Sequence, residues 1–568
     1  MSSKDSIIRH TFRNSVVGII LAAVAVLLGV VIDGIVIGRF LGPDCMAAYT
    51  LTAPVIGIFT AVSSILSTGV QVICAQRIGA NDIPGARRAF SVCMTGTVII
   101  SVILTAAAVI FRNDIAVFLG ASGDSASLLP LSSDYLLGLA LAGPAGIFMF
   151  EFNSLIRLDG GSTRIIVAVA VMTVLDIAGD LLNVFVIKGG MLGIGLATTI
   201  SYLVALVIMG LHFIQKDIIF RFSFRGMRLR DFGEILFIGA PSAVGAASTA
   251  LRTLVHNLIL AGTAMSVNAV AAFGVLNTVF NFTSCVLIGV AITTSMIAGM
   301  ILGEQDRASA KELVRTAIRT AVFIGTGLAA LIFIFAKPLA SVFGGEDGAV
   351  MVELAARGLR FFSLSLLFYG INSVFTNYLQ GIRRMGLSIA FSFLHTFVFT
   401  SISAIALAGK LGETAVWISF IAGEVLTLLS FCVLAAVHTK SFLFLPEPFG
   451  APENDVFNLT VTSREEVKKA CAKITDFCTA KSTSEKQVQI LSSCIEDLGS
   501  IIAEHGFEGN GKQLLEIRLV YQDGSFTARL RDNCRPFDPT VEIEKKDISV
   551  NYLNTLDLNI VTISCSSH

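Results

Sequence analysis

Charged residues are scarce in this sequence. Asp, Glu, Lys and Arg make up only 14% of its 568 residues, against about 25% in soluble domains, and the mean hydropathy is +0.79. The 41 basic and 41 acidic residues cancel, so no excess of positive charge favours nucleic acid as a partner. This composition excludes a soluble globular protein over most of the length and indicates a multi-pass membrane protein.

Tryptophan is rare, and closely paired cysteines are missing. One tryptophan stands against 41 phenylalanines, so a tryptophan belt at the membrane surface is absent. The ten cysteines are scattered without a C-x-x-C pair, which argues against a disulfide framework or a zinc site. The first apolar run is too long for a signal peptide and lacks a small-residue cleavage site, so we expect no cleaved leader.

Apolar stretches long enough to cross a bilayer dominate the first 440 residues. An even number of them places both termini on one side, and the loops on that side carry most of the Lys and Arg, which predicts cytoplasmic termini. We therefore expect an all-α polytopic protein of the bacterial cell membrane. Its twelve spans are 14–38, 48–77, 90–111, 128–156, 164–187, 190–214, 232–261, 268–302, 316–336, 351–381, 385–409 and 414–438.

The second half of this region repeats the first. A shift of 224 residues places Asp82 on Asp306 and the AAY at 47–49 on the AAF at 271–273, and further on the offset falls to 221. Six spans followed by six related spans predict an N-lobe at 1–220 and a C-lobe at 221–440, related by an axis along the membrane normal. In transporters of that build the substrate binds near the midplane and access alternates by rocking.

Acidic residues within the N-lobe spans are candidates for binding a cation. Asp33 is the only charge in the run 16–37; such a residue costs about 2.5–3.5 kcal/mol on insertion scales and needs a partner, a wet cavity or a proton. Asp176 and Asp180 are four apart and share a helix face. Two close carboxylates resist double ionisation, so the pair could hold a proton or share Na⁺ near Thr198 of the next span. The alternatives are a structural interhelical hydrogen bond, or for Asp176 a position at the water interface.

The C-lobe has different polar residues at the corresponding positions. Asp33 falls on Asn257, and the other two acids fall on uncharged residues. Arg252 could bind an anionic group of the substrate, pair with Glu424, or bond to backbone carbonyls. The histidines could relay protons or simply pack. The candidates for the substrate cavity are Asn183, Arg252, His256, Asn257 and His395.

Several short motifs in this region resemble one transporter family. They are DGIVIGRFLGP at 33–43, AA at 47–48, AQRIG at 75–79 and GAP at 239–241. Together with the repeat, they resemble MATE (multidrug and toxic compound extrusion) transporters over about 10–440, and within them the DinF-like bacterial branch. The resemblance implies multidrug efflux by an antiporter that exchanges organic, often cationic or amphiphilic, compounds for H⁺ or Na⁺.

The resemblance also implies roles for particular residues. The family's N-lobe cation site has an Asp in span one, Asn-x-x-x-Asp in span five and a Thr in span six, which Asp33, Asp180 and Thr198 match. Asp176 stands at the Asn position, and a second carboxylate could favour H⁺, so the choice between H⁺ and Na⁺ stays open. Span one lacks the proline of some members, and acidic C-lobe residues of some members are replaced by Arg252 and His256.

A soluble domain is expected after the spans. A stiff linker at 441–455, with prolines at 446, 448 and 452, leads to a domain at 456–568. Its predicted elements are a strand at 456–462, helices opened by capping boxes at 463–466 and 482–485, and a hairpin of 514–521 and 525–532 turning at Asp523 and Gly524. The order βααββ predicts an α+β sandwich.

The motif DNCRPFDP at 532–539 in this tail resembles that of anti-sigma-factor kinases within the GHKL ATPase fold. The resemblance gives Asp532 the adenine-binding role, but Ile501 stands at the Mg²⁺ ligand and Cys534 at the motif glycine. The phosphate-binding glycines expected near 555–558 are absent, and we expect the chain to stop at His568 short of a final strand. We therefore expect a degenerate domain that docks or regulates, binds no ATP and is not an ATPase.

Three functions remain open from the sequence. The first is the antiporter, expected as a monomer without a cofactor other than Na⁺, with small-molecule cargo, lipid contacts and a cytoplasmic protein partner for the tail. The second is a flippase for lipids or polysaccharide precursors, in which Arg252 holds a pyrophosphate. The third is a membrane sensor that signals through the tail.

Overall fold

The structure is a computed structural model that contains a bundle of long helices and a small α/β tail. It describes residues 6–122, 127–215, 218–223, 227–263, 266–343, 349–439, 442–445, 449–481, 485–507, 513–522, 524–543 and 548–565.

The first half of the bundle contains seven α-helices, two of which continue into π-helical turns. They are α1 (Ile7–Val36, continued by the π turn Ile37–Leu41), α2 (Pro43–Gly79), α3 (Ile83–Ile110), α4 (Arg112–Phe118), α5 (Leu128–Leu158), α6 (Ser162–Leu182, continued by the π turn Asn183–Ile187) and α7 (Gly190–Gly210).

The described part of the second half contains another seven helices. They are α8 (Leu229–Ala261), α9 (Ser266–Glu304), α10 (Arg307–Ser341), α11 (Ala349–Gly381), α12 (Met385–Phe393), α13 (Phe399–Leu411) and α14 (Glu413–Leu434), with a π turn at Leu394–Val398 joining α12 to α13.

Each predicted span falls on these helices and the turns that continue them, with 385–409 covering α12, the π turn and α13. Within the described residues, ten helices are long and apolar enough to cross a membrane. The other two predicted spans lie on α1 and α11, which have 30 and 33 residues. The fold is therefore mostly helical with about ten long apolar helices, and twelve crossings in two lobes of six stay a prediction.

The predicted repeat is visible in how equivalent helices begin. Asp82 caps α3, its carboxylate accepting from the Gly85 amide at 2.9 Å, and Asp306 caps α10 in the same way through the Ser309 amide at 3.1 Å. Such caps satisfy amides that have no partner inside the helix. Asp82 and Asp306, which the 224-residue shift superposes, thus both cap the N-terminus of a helix.

The two halves approach each other most closely along α2, which packs on α8 and α9. A Cβ on Gly79 would lie 2.0 Å from the carbonyl oxygen of Met300, and one on Gly303 would lie 1.9 Å from that of Gln76. Only glycine allows backbones to come this close. The end of α2 and the end of α9 are therefore in direct backbone contact.

The tail is a five-stranded antiparallel sheet with two helices. Its elements are β1 (Val456–Val461), α15 (Arg464–Ala480), α16 (Glu485–Gly506), β2 (Leu515–Gln522), β3 (Ser525–Asp532), β4 (Ser549–Thr555) and β5 (Leu558–Cys565), with strand order β1-β2-β3-β5-β4. Side chains such as Ile517, Leu519 and Leu530 pack with the helices in one apolar core.

The predicted strands β1, β2 and β3 and the predicted start of α15 are confirmed, while β4 and β5 were not anticipated. The amide of Glu466 bonds to the Ser463 hydroxyl as the first capping box requires, but the Glu466 carboxylate binds the Thr462 amide instead of completing the box. The second box at 482–485 and the turn residue Asp523 fall wholly or partly outside the described residues.

The linker is attached to the helical bundle along its described part. Phe444, Leu445 and Phe449 are buried in the bundle core. The Arg384 guanidinium donates to the carbonyl of Phe444 at 3.0 Å and to that of Leu445 at 3.2 Å. Side-chain packing thus holds this described part of the linker against the bundle, while a linker stiffened by its prolines stays a prediction; residues 446 and 448 lie outside the described part.

Candidate transport site

The three predicted N-lobe acids are brought together where α1 packs on α6. Asp33, Asp176 and Asp180 are buried, with Asp180 fully enclosed, and their carboxyl groups interact electrostatically. Gly29 lies one turn before Asp33 on α1, and a Cβ there would be 3.6 Å from the Asp176 carboxylate. The small residue therefore lets the two helices close around the acids.

Two of these acids have unused oxygens. Among the described residues, no donor group bonds to either carboxylate oxygen of Asp180 or to the Oδ1 of Asp33, and the Asp33 and Asp180 carboxyl groups are close enough to share a proton with each other. Asp176 differs, because the Ser201 hydroxyl donates to its Oδ1 at 3.0 Å. A buried carboxylate without a partner costs several kcal/mol, so a proton or a bound cation would stabilise this arrangement.

Thr198 is placed on the Asp176 side of the cluster. Its hydroxyl lies beside Asp176 and also donates to the Ile194 carbonyl at 3.4 Å. Within the described chain, no three His, Cys, Asp or Glu side chains are arranged to hold a metal ion. A metal cation at the acids would therefore need hydroxyl or backbone oxygens as further ligands, whereas a proton would need none.

Three tyrosines border the acids and were missed by the sequence reasoning. Tyr49, Tyr135 and Tyr202 come from α2, α5 and α7, and each interacts electrostatically with the acid cluster. The rings of Tyr49 and Tyr135 pack edge to face at 5.5 Å. The chain has only seven tyrosines, so their presence within apolar spans was an available signal.

A fourth buried acid of the N-lobe was also missed. Glu151 on α5 is fully buried, and the Thr97 hydroxyl of α3 donates to its Oε1. Its Oε2 has no partner among the described residues. The signal was present in the sequence, since Glu151 is an acid well inside the predicted span 128–156, whereas the other acid of that span, Asp134, is near its start.

Asn183, predicted to line the cavity, binds the backbone of the turn between α6 and α7. Its Nδ2 donates to the Gly190 carbonyl at 2.9 Å, and its Oδ1 accepts from the Gly189 amide at 3.0 Å. Both ends of the amide are therefore used to fix this turn, and a contact with cargo stays a prediction.

Arg252 of the C-lobe lies between two phenyl rings. Its guanidinium carbon is 4.6 Å from the Phe280 ring centre and 5.1 Å from that of Phe420, a cation–π arrangement. The suggested pairing with Glu424 is wrong, since the ion pair of Glu424 in the described structure is with His395. The Arg252 Nε and Nη2 have no partner among the described residues, so they are the donors that an anionic group could use.

Glu424 is the centre of a small hydrogen-bonded cluster in the C-lobe. Its Oε2 is 2.8 Å from the His395 Nδ1 and accepts from the Asn372 Nδ2 at 2.7 Å. The Tyr369 ring packs on His395 at 5.0 Å. His395 is thus a partner of a buried acid, whereas the sequence allowed simple packing, and no sequence signal pointed to Asn372.

His256 and Asn257 have less defined surroundings. The His256 Nε2 lies 3.4 Å from the Ser419 hydroxyl, and its ring packs edge to face on Phe273 and Phe420. Asn257 is half-buried on α8. Their part in cargo binding stays a prediction.

A cavity of about 1640 Å³ lies away from these groups. It opens between α10, α11, α14 and the linker, with Lys311 and Arg315 at one side and Ile371 and Phe375 at the other. Arg518 of the tail also borders it. The acids of the N-lobe do not line this space, so the cavity and the candidate cation site are separate features.

Asp532 of the tail is used within its own domain. Its Oδ1 accepts from the Cys534 amide at 2.9 Å and from the Asn559 side chain at 2.8 Å, and burial raises the pKa of Asp532 above its ordinary value. The segment where phosphate-binding glycines were sought is the β4–β5 turn, in which Leu556 and Asp557 have φ of 53° and 58°. The structure therefore has a hairpin where the resemblance places a phosphate loop.

Comparison with known proteins identifies the family. The family model described as MatE matches residues 19–182 and 241–405, one segment in each predicted lobe. The multidrug export protein MepA of Staphylococcus saprophyticus is 26% identical over 381 residues, covering 66% of this chain and 82% of MepA. The probable multidrug resistance protein YoeA of Bacillus subtilis is 23% identical, covering 59% and 73%.

Solved structures agree with this on the fold. The crystal structure of a MATE protein in the straight conformation superposes with a TM-score of 0.71 at 22% identity, covering 77% of this chain and 97% of that one. An outward-facing multidrug resistance MATE transporter superposes at 0.70 with 21% identity, covering 77% and 96%. This chain belongs to the MatE family and has the fold of the MATE transporters.

Proposed function

We propose that this protein is a multidrug efflux antiporter of the cell membrane, which expels organic compounds in exchange for H⁺ or Na⁺ bound at Asp33 and Asp180. The two named relatives are multidrug export and resistance proteins, which supports drug-like cargo. The assignment to the DinF-like branch, the cytoplasmic position of both termini and the choice of ion belong to the same proposal.

The observation that carries the proposal is the set of unpartnered carboxylate oxygens on Asp33 and Asp180. In a purely structural role, a buried acid would be bonded to a neighbouring donor, as Glu424 is to Asn372 and His395. Acids left without donors are suited to bind a proton or a cation, because no hydrogen bond stabilises their negative charge.

The helices that carry these acids have local irregularities where they could move. A π-helical turn follows Asp33 at Ile37–Leu41, and another follows Asp180 at Asn183–Ile187. Such turns are common at functional sites because they loosen the regular hydrogen bonding. In the proposed cycle, a cation from outside neutralises the acids, α1 repacks against α6 and α7, and the cargo leaves the N-lobe.

Efflux from proteoliposomes under an imposed pH or Na⁺ gradient tests the proposal. We expect Asp33→Asn and Asp180→Asn each to abolish gradient-driven efflux of a cationic dye such as ethidium, because neither amide can exchange a cation. Asp134→Asn is the matched control, since Asp134 is an exposed acid at the start of α5, and should transport normally. Gradient-driven efflux of wild-type size in Asp180→Asn would refute the role of the acid.

One observation supports a second candidate function. The free donors of Arg252 are suited to phosphate or carboxylate, as a flippase for lipid-linked or other anionic amphiphiles would need. Deletion of the gene distinguishes the two: sensitivity to drugs without an envelope defect favours the antiporter, and an envelope defect without drug sensitivity favours the flippase.

A further inference from the structure

Three arginines lie on the face of the tail sheet opposite α15 and α16. Arg518 on β2 is directly across from Arg529 on β3, and Arg531 follows two residues later on the same face. Arg518 and Arg531 are only 6% and 2% exposed. Since buried cations are costly unless they are paired, this face requires acidic partners.

The partners come from the loop between α9 and α10 in the C-lobe. Arg531 is ion-paired with Glu304, and Arg518 with Asp306. Arg529 also reaches Glu304, at 3.2 Å. Both acidic side chains are almost fully buried by this contact, so the tail and the loop form one interface and not a loose surface encounter.

The same domain also binds the N-lobe. Arg529 donates to the Gly79 carbonyl at the end of α2, at 3.1 Å. In the β4–β5 turn, the Thr555 hydroxyl and the Leu556 amide both donate to the Leu158 carbonyl at the end of α5. Apolar contact is added where Ile7 of α1 packs on Leu558 and Ile560 of β5.

The tail therefore contacts both lobes at the end of the bundle where the backbones of α2 and α9 meet. Gly79, whose carbonyl binds Arg529, is also the residue whose Cα faces the Met300 backbone across the lobe interface. Glu304 adjoins Gly303, the equivalent residue on α9. A rigid sheet bonded to both sides of this junction resists their separation, because opening by a few ångströms breaks the contacts on one side.

We propose that the outer face of the tail sheet is an interaction surface for the α9–α10 loop and the ends of α2 and α5, through which the tail locks this end of the transporter closed. Alternation between the lobes, as the proposed transport requires, then demands that the tail undock from one lobe. The tail regulates transport by this contact and needs no nucleotide to do so.

Distances between spin labels test the lock in the full-length protein. In a background without the ten native cysteines, labels at Pro84→Cys and Arg315→Cys report the separation of the lobes, and labels at Lys469→Cys and Arg315→Cys report docking of the tail. Arg529→Glu should broaden the docking distance and raise the long-distance fraction of the lobe pair several-fold. The new Glu lies opposite Arg518, so the tail itself should remain folded.

Two further variants make the result specific. Adding Glu304→Gln to Arg529→Glu removes the repulsion between the two acids, keeps an amide oxygen at position 304 that can accept from Arg531, and should recover part of both distances. Arg464→Glu removes a pair with Glu504 on the exposed side of the tail and should leave both unchanged. A broadened docking distance with an unchanged lobe distance would show that the tail docks without locking. An unchanged docking distance in Arg529→Glu would overturn the interface.

Discussion

Gly79 and Gly303, which the 224-residue repeat superposes, lie on opposite sides of one junction and each faces the backbone of the other's helix. A Cβ on Gly303 would sit 1.9 Å from the carbonyl oxygen of Gln76 on α2. A pseudo-symmetric pair of this kind allows two helices to close fully, because neither contributes a side chain. The closed state of the lobes therefore depends on these two positions.

We expect Gly303→Ala to destabilise this closed state. The added methyl group meets backbone atoms that cannot rotate away, and overpacking of that kind costs about 1–3 kcal/mol. Thermal unfolding in detergent measures the effect. Gly327→Ala on α10 is the control, since no atom lies within 4 Å of a Cβ there. Equal unfolding temperatures for the two variants would contradict the glycine argument.

The hydrogen bonds around Glu424 predict that this C-lobe acid stabilises the fold, while the N-lobe acids couple transport to the gradient. Glu424→Leu removes the acceptor that serves both His395 and Asn372, and leaving a buried donor unsatisfied costs about 1–3 kcal/mol. We expect a lower unfolding temperature with gradient-driven efflux retained, because the coupling acids are in the N-lobe. Efflux that no longer depends on the gradient in this variant would move the coupling site to the C-lobe.

Docking of the tail should depend on pH through Asp557. Burial raises the pKa of Asp557 above its ordinary value of about 3.9, although the Ser162 hydroxyl and Arg157 oppose this. The docked tail thus holds the proton more tightly than the free tail, so this contribution is complete below the ordinary pKa and is lost as the pH rises through the raised one. Spin-label distances between tail and bundle across this range measure it.

Asp557→Asn should make the docking of the tail depend less steeply on pH. Asparagine tolerates the positive φ of this turn, so the hairpin should persist. Some dependence should remain, because burial also raises the pKa of Glu516, which faces Arg531, Glu304 and Glu312. A slope equal to that of the wild type, or docking that strengthens as the pH rises, would contradict this reasoning.

The purified full-length protein should not bind ATP. Asp532 is bonded to Cys534 and Asn559 of its own domain, and the β4–β5 turn is bonded to Leu158 where a phosphate loop would be needed. Titration calorimetry with ATP and Mg²⁺ should therefore show no heat beyond dilution. Saturable binding that is lost in Asp532→Ala would restore the nucleotide role.

The helices and most tail strands were predictable because their signals are local. Long apolar runs locate the spans, and alternation with a turn at Gly524 locates the β2–β3 hairpin. The contacts of Arg529 and Arg531 were not predictable, since their partners are about 230–450 residues away and an arginine on a strand is ordinarily read as solvent-exposed. The β4–β5 hairpin was not predicted, because its turn lies in the segment that was interpreted as a phosphate loop without its glycines.

Part of the candidate site was also predictable from local signals in the sequence. Asp33 and Asp180 stand out as charges within apolar runs, but so does Glu151, which was overlooked. The partners of Glu424 depend on how α11, α13 and α14 pack, and no spacing in the sequence encodes that packing. The π-helical turns after Asp33 and Asp180 were also not predicted, because the hydrophobic periodicity of a sequence does not reveal a single residue inserted into a helix.

The central claim is that cargo and cation compete through the buried acids of the N-lobe. Coupling of this kind is reciprocal, so equilibrium binding of ethidium to the purified protein should weaken as H⁺ or Na⁺ is raised. The account predicts that this dependence vanishes in Asp180→Asn while binding itself remains and Asp134→Asn behaves like the wild type. An ethidium affinity in the wild type that responds to neither cation would contradict it.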